Sequence, residues 1–349
     1  MSSLLRSRAL AAVPTVLLLA AFHLLPWLRW DGHQAVLLDL AERRFDLFGL
    51  TLWPGQPALL LGLLAVLAVM LALLTHLAGR VWCGHACPQT LWSALFGWVE
   101  RCTRRWLGAA TCEPWIRHLL WALIALWTGL TFVGLFTPIE DLLARTLDGH
   151  LRVWEAFWML FYAAATFGNA AYLRQRVCQT FCPFARIQTQ FCDGHTPRML
   201  YVAPRGEPRG PRPRGLGSVA QRGRGLLDPT TAQDYVFRAA HPQLAGPMPH
   251  FAADRLGDCT DCGDCVRVCP AHLDIRNGPQ ADCLACGACL VACHSAQHAA
   301  GFDQGLIRYI SPERLSGRRA RLLRPPTLGL LGLLCLVGGL LLLGGALAG

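Results

Sequence analysis

The chain has 349 residues, 53% of them hydrophobic and 15% charged, with a positive mean hydropathy; that balance excludes a single soluble domain and fits an integral membrane protein. The formal net charge is +10 and every basic residue is arginine. These arginines crowd at 198–224 and 308–324, beside apolar runs, a pattern of orientation signals that argues against nucleic acid as a partner.

In chain order, the first apolar run is Ala9–Leu28. Arg6 and Arg8 precede it as in a secretory signal, but it ends in HLLPWLRW without a small-x-small cleavage site, so it reads as a retained anchor. The second run, Ala58–Leu77, leads directly into GRVWCGHACPQT, where Cys83 and Cys87 stand four apart and Pro88 closes the pair. On one continuous helix the two thiols share a face. Proline also suits the first turn of a new helix, and residues 88–106 are amphipathic, with Trp92, Leu95, Phe96 and Val99 set against Glu100, Arg101 and Arg105. In that arrangement Cys87 lies at a helix N-terminus, where the dipole and nearby arginines favour thiolate.

The third and fourth runs are Leu119–Phe136 and Val153–Leu173. Within the fourth, Glu155 is near enough to an end to reach the interface, and Asn169 is expected to face other helices. It leads into QRVCQTFCP, where Cys178, Cys182 and Pro183 repeat the first motif, the leading cysteines lying 95 positions apart. Thiolates are nucleophiles and soft ligands suited to Cu(I). The plainer reading is a set of buried structural cysteines, and two matched pairs placed by a repeat weigh against it. Cys102, Cys112 and Cys192 lack matched spacing and read as structural, and Cys335 stands alone in the last apolar run, Thr327–Leu347.

Residues 201–250, rich in Pro, Gly and Arg, read as a flexible basic linker. The GLGSVA within them (215–220) has neither a preceding strand nor a following helical pattern, so it is no dinucleotide site. Residues 251–310 carry the densest chemistry, DCTDCGDCVRVCP followed by DCLACGACLVACH. Cys259, Cys262, Cys265 and Cys269 have the spacing C-x2-C-x2-C-x3-C-P; Cys283, Cys286, Cys289 and Cys293 repeat it without the proline. Structural zinc uses separated C-x2-C pairs, not three cysteines in one run, twice. The spacing is that of a bacterial two-cluster ferredoxin, in which the fourth cysteine of each run serves the other [4Fe-4S] cluster. One cluster is expected on Cys259, Cys262, Cys265 and Cys293, the other on Cys283, Cys286, Cys289 and Cys269, with Gly263 and Gly287 letting the chain turn closely. Such thiolates belong in a reducing compartment.

The predicted fold is a mainly α membrane protein. Residues 1–200 form two repeated transmembrane hairpins, the α+β ferredoxin-like domain is inserted after the linker, and residues 311–349 add a basic linker and a C-terminal span. Loop 79–118 carries five arginines, whereas loops 29–57 and 137–152 carry three and two. The N-terminus and ferredoxin domain are therefore expected in the cytoplasm and Gly349 on the far side. A pseudo-two-fold axis along the membrane normal would bring both C-x3-C-P pairs to one face. His23, His76, His85 and His118 lie near membrane segments but do not recur at matching positions in the hairpins, which argues against haem.

The motifs RVWCGHACPQT, VCQTFCPFARIQ, RGEPRG (205–210), GDCTDCGDCVRVCP, DIRNG (274–278) and GLIRY (305–309), in that order, resemble the FixG/RdxA/CcoG family. These are membrane iron–sulfur accessory proteins for assembly of cbb3-type cytochrome c oxidase in the bacterial inner membrane. The resemblance implies reduction of Cu(II) to Cu(I) at a site involving Cys83, Cys87, Cys178 and Cys182, with copper ions and oxidase-assembly or copper-delivery proteins as partners. It implies a periplasmic immunoglobulin-like domain beyond the last span in family members, and it leaves the electron donor unnamed. Two other functions fit the same residues: a quinol-linked electron-transfer subunit of a periplasmic reductase system, and a non-catalytic copper chaperone or scaffold.

Overall fold

The computed structural model describes residues 2–39, 44–52, 57–108, 110–211, 218–219, 223, 225–245, 250–302 and 304–348. The longer helices are α1 (Ser2–Leu24), α2 (Pro57–Ala78), α3 (Val81–His85), α4 (Pro88–Leu107), α5 (Glu113–Val133), α6 (Ile139–Leu147), α7 (Val153–Gly168), α8 (Pro183–Gln190), α9 (Pro229–Ala240), α10 (Ala288–Ala299) and α11 (Pro325–Ala348). β1 (Arg29–Trp30) pairs with β2 (His33–Gln34); β3 (Val36–Asp39), β4 (Arg44–Leu47) and β5 (Leu50–Leu52) form a second antiparallel sheet; β6 (Arg198–Tyr201) pairs with β7 (Ile307–Ile310). The chain divides into two units, one of residues 1–11, 71–84 and 182–330, the other of residues 12–70, 85–181 and 331–349.

Among the described residues three helices are long and apolar enough to cross a membrane: Leu61–Ala78 of α2, α5, and Pro325–Leu343 of α11. Five were expected. The first run is helical as α1 and its 3-10 extension, of which Val13–Trp27 is the described apolar part. In the fourth run α7 ends at Gly168 and Asn169–Leu173 widens into a π-helical turn. There the Asn169 carbonyl accepts from Arg174 N–H at 2.6 Å, five residues on, and from Gln89 Nε2 at 3.4 Å. Glu155, at the start of α7, is fully buried, accepting from Arg145 Nη2 at 2.8 Å and Arg152 N–H at 3.0 Å.

In the unit of residues 85–181, Phe96 and Val99 of α4, Trp121 and Ala125 of α5, and Ala163, Ala170 and Ala171 form one core. Trp121 stacks on Phe96 and donates from Nε1 to its carbonyl at 3.1 Å. A Cβ at Gly129 would fall 2.3 Å from the Met159 carbonyl, so glycine is what allows α5 and α7 to cross this closely. The β1–β5 segment, for which the sequence reading has no strand, is tied down by Gln34, whose Nε2 donates to Gly134 O at 2.7 Å while its Oε1 accepts from Ile139 N–H at 3.2 Å.

In the other unit, β6 and β7 bracket the cysteine runs. Their core joins Met199, Tyr201, Cys259, Cys265, Ile275, Leu306 and Ile307. The RGEPRG stretch is bound to the module: Arg205 Nε pairs with buried Asp258 at 2.9 Å, and buried Glu207 accepts from the Tyr201 hydroxyl at 3.1 Å. The flexible basic linker expected at 201–250 is not structureless throughout. Residues 229–240 form α9, capped by Asp228, which accepts from the N–H groups of Thr230 and Thr231. The Asp-Pro pair is a cap and first-turn signal that the Pro/Gly/Arg composition obscures. All of GLGSVA except Ser218 and Val219 lies outside the described residues.

Candidate functional site

The two cysteine runs share one backbone course. In CTDC and CLAC the residue before the second cysteine, Asp261 (φ 53°) or Ala285 (φ 55°), is left-handed, and the glycine after it, Gly263 (φ 70°) or Gly287 (φ 76°), is left-handed again. Such turns aim successive N–H groups to one side and create an anion-binding concavity. Further N–H groups point at sulfur: Leu273 to Cys269 Sγ at 3.4 Å and Leu306 to Cys293 Sγ at 3.3 Å.

Cys259, Cys262, Cys265 and Cys293 line a single small cavity of about 20 Å3, so the last cysteine of the second run faces the first three of the first run. Tyr201, Arg276, Gln297 and Leu306 complete its wall. Arg276 is fixed by Asp274, with Nε and Nη2 donating at 2.9 and 2.8 Å, and also pairs with Asp261. Burial pushes the Cys259 thiol up and Cys265 up to about 11, with Arg276 pulling both the other way.

Cys269, Cys283, Cys286 and Cys289 form the second group. Burial pushes Cys289 up to about 12, and the neighbouring sulfurs of Cys283, Cys286 and Cys269 add to it; burial likewise raises Cys283, Cys286 and Cys293. Burial of these thiols favours their neutral form, and a metal held by them would displace their protons. Among the described residues no three His, Cys, Asp or Glu side chains converge as ligands of one ion do. A cubane asks for something else, four separated sulfurs around a cavity with N–H groups aimed inward, and the first group fits that demand.

The membrane-proximal thiols are placed as follows. Cys83 lies on α3, buried, and donates to Gln188 Oε1 at 2.9 Å; Cys87 is the N-cap of α4, with Pro88 at the first helical position. Cys178 sits in the π-helical turn Val177–Phe181, and Cys182 is the N-cap of α8, with Pro183 next. Each motif therefore puts its first cysteine on a short helical turn and its second at the start of a proline-led helix. Cys83 and Cys182 belong to one unit, Cys87 and Cys178 to the other.

The second cysteine run touches the first of these motifs within one unit. A Cβ at Gly84 would lie 2.8 Å from the Leu284 carbonyl and 3.0 Å from that of Ala285, so the backbone beside Cys83 rests on the Cys283–Cys286 loop. Arg80 donates from Nη1 to the Ala281 carbonyl just before that loop. The end of α2 is gripped as well: Tyr309 Oη donates to Ala78 O, while Thr196 Oγ1 and Arg324 Nη2 donate to His76 O at 3.0 and 2.9 Å. His76 Nδ1 donates to Phe191 O at 2.7 Å, a packing role.

Residues 243–312 match a family described as a 4Fe-4S dicluster domain, and residues 58–108 match one described as a 4Fe-4S binding domain. Protein RdxA of Cereibacter sphaeroides is 36% identical over 312 residues, covering 84% of this chain and 58% of RdxA. Protein RdxB of the same organism is 34% identical (84% and 58%), and nitrogen fixation protein FixG of Rhizobium meliloti is 33% identical (83% and 52%). The chain belongs to the FixG/RdxA family. It spans little more than half the length of these relatives, and no solved structure matches it.

For this FixG/RdxA chain the dicluster match covers both cysteine runs and β7, and together with the cavity it supports an iron–sulfur protein with membrane-crossing helices. The 58–108 match covers α2, α3 and α4 and contains Cys83, Cys87 and Cys102. Cys102 lies fifteen residues along α4 from Cys87, about 22 Å by helical rise, so this segment brings at most two sulfurs to one place. Sequence reasoning missed Tyr201 and Arg276 at the first cavity and Arg80 and Gln188 beside Cys83. For Arg276, Arg80 and Gln188 the signal was membership of the family-like motifs; Tyr201 lies in none of them.

Proposed function

We propose that the chain carries electrons from two [4Fe-4S] clusters to its membrane-proximal thiols and there reduces Cu(II) to Cu(I), serving assembly of a cbb3-type cytochrome c oxidase. Cys259, Cys262, Cys265 and Cys293 hold one cluster; Cys283, Cys286, Cys289 and Cys269 hold the other. When bound, each cluster supplies one electron at a time at low potential. The observation that carries the reading is the seating of Gly84, next to Cys83, on the Leu284–Ala285 backbone between two cysteines of the second group.

The residues divide the work. N–H groups of the paired left-handed turns favour sulfur in its charged form, and Arg276 places positive charge beside Cys259. Gln188 and Arg80 hold Cys83 against the second-run loop. Copper is the substrate: Cu(II) takes one electron to become Cu(I), the ion that thiolates of Cys83, Cys87, Cys178 and Cys182 retain best. A low-potential one-electron donor on the cytoplasmic side restores the clusters.

The test is anaerobic reduction of the full chain, addition of Cu(II), and trapping of Cu(I) by a chelator. Replacing all four thiols by serine should abolish chelatable Cu(I) while both clusters remain; unchanged copper reduction removes the thiols from the account. A second reading is favoured by the 58–108 match alone, namely that these thiols hold additional iron–sulfur. It requires iron in excess of two cubanes in the intact protein, lost in the four-serine variant.

A further inference from the structure

Beside the second cysteine group lies a pocket of about 290 Å3, bordered by Arg80, Cys192, Thr196, Arg198, Gln280 and Cys283. Two guanidiniums line it. Arg80 is 8% exposed and spends Nε on Gln188 and Nη1 on the Ala281 carbonyl. Arg198 donates from Nη2 to Asp193 O at 3.0 Å, and its Nε is buried with no partner. Asp193, the neighbouring carboxylate, is taken by Arg324; among the described residues neither Arg80 nor Arg198 forms a carboxylate pair.

Arg80 is buried and Arg198 half-buried; cations so placed around a cavity with no carboxylate paired to either are costly, and the fork of a guanidinium matches phosphate oxygens two at a time. Both arginines also act on the same point: burial raises the Cys192 thiol, and Arg198 and Arg80 each pull it back. The volume exceeds what bare phosphate fills and stands at the small end of organic-ligand sites. Gly79 and Arg80 directly follow α2, a membrane-length helix, so the phosphate can arrive on a soluble ester or on a lipid headgroup.

We infer that this pocket binds a phosphate monoester or diester group between Arg80 and Arg198, against Cys192 and Cys283. Binding stands independently of the cluster assignment. A consequence that rests on the proposed function is that the bound anion opposes reduction of the cluster held by Cys283 and lowers its potential.

The experiment uses the full-length, cluster-loaded protein and reads Cys192 alkylation by peptide-resolved mass spectrometry. In phosphate-free detergent, glycerol phosphate should slow Cys192 alkylation and leave Cys335 unaffected. Arg198→Gln should weaken that protection about tenfold or more, as for a lost charge-assisted hydrogen bond, and Arg198→Lys should recover part of it. In phosphatidylglycerol nanodiscs without added phosphate, protection identifies a lipid headgroup as the source; protection only with glycerol phosphate identifies a soluble ester. No protection of the wild-type protein by either probe, or equal protection in Arg198→Gln, overturns the proposal. Protection with unmoved cluster potentials supports the pocket and counts instead against Cys283 as a cluster ligand.

Discussion

The Cys83 thiol and Arg80 Nε share one acceptor: Gln188 Oε1 takes the thiol proton at 2.9 Å and the guanidinium proton at 3.3 Å, while Gln188 Nε2 donates to Thr75 Oγ1 at 3.1 Å. Gln188 is 1% exposed, so no water can stand in for it. Gln188→Leu is expected to orphan these partners and cost about 1–3 kcal/mol for each group left unsatisfied. A lower urea midpoint with an unchanged slope checks it.

Gly84→Ala tests the seating of the first thiol motif on the second cysteine run. The added methyl meets two backbone carbonyls, which cannot rotate away. The expected cost is about 1–3 kcal/mol, as for other overpacked positions. Stopped-flow absorbance should show slower oxidation of the reduced clusters by Cu(II), with cluster content unchanged. An unaltered rate removes this contact from the electron path.

The crossed ligand sets make a distinct claim. Cys293→Ala should erase the same paramagnetic signal as Cys259→Ala, and Cys269→Ala the same signal as Cys283→Ala. Ligation within each run would instead pair Cys293 with Cys283. Comparison of the reduced-state spectra of the four variants decides between them.

Asp193 gives the pH dependence. Burial alone pushes its carboxyl up, but the N–H of His195 at 2.8 Å, Thr196 and Arg324 more than offset this and hold it below the ordinary value. With the folded pKa below the unfolded one of about 3.9, its contribution is fully present above that value and is lost as pH falls through the folded pKa. Asp193→Asn should therefore lower the urea midpoint at neutral pH and flatten its decline below about pH 4. An equal decline in both proteins contradicts it.

The backbone course of the cysteine runs was legible because cysteine spacing is a local code: two x2 gaps and a following glycine favour the left-handed turns seen at 261–263 and 285–287. The helix starts after Cys87 and Cys182 were legible for a similar reason, since proline at a first turn is a local signal. Span count was not. Whether α7 runs on through Asn169 depends on the Arg174 and Gln89 groups that draw its carbonyl, not on hydropathy. Arg80 and Gln188 also escaped, because their roles arise from packing partners roughly 100 or more residues away (Gln188 for Cys83, Ala281 for Arg80), which no local pattern encodes.

The most direct test of copper reduction is anaerobic EPR of the chemically reduced full-length protein before and after one equivalent of Cu(II). The account predicts cubane signals that diminish on addition while no Cu(II) signal remains, since Cu(I) is diamagnetic. Cubane signals that persist beside an undiminished Cu(II) signal would contradict it.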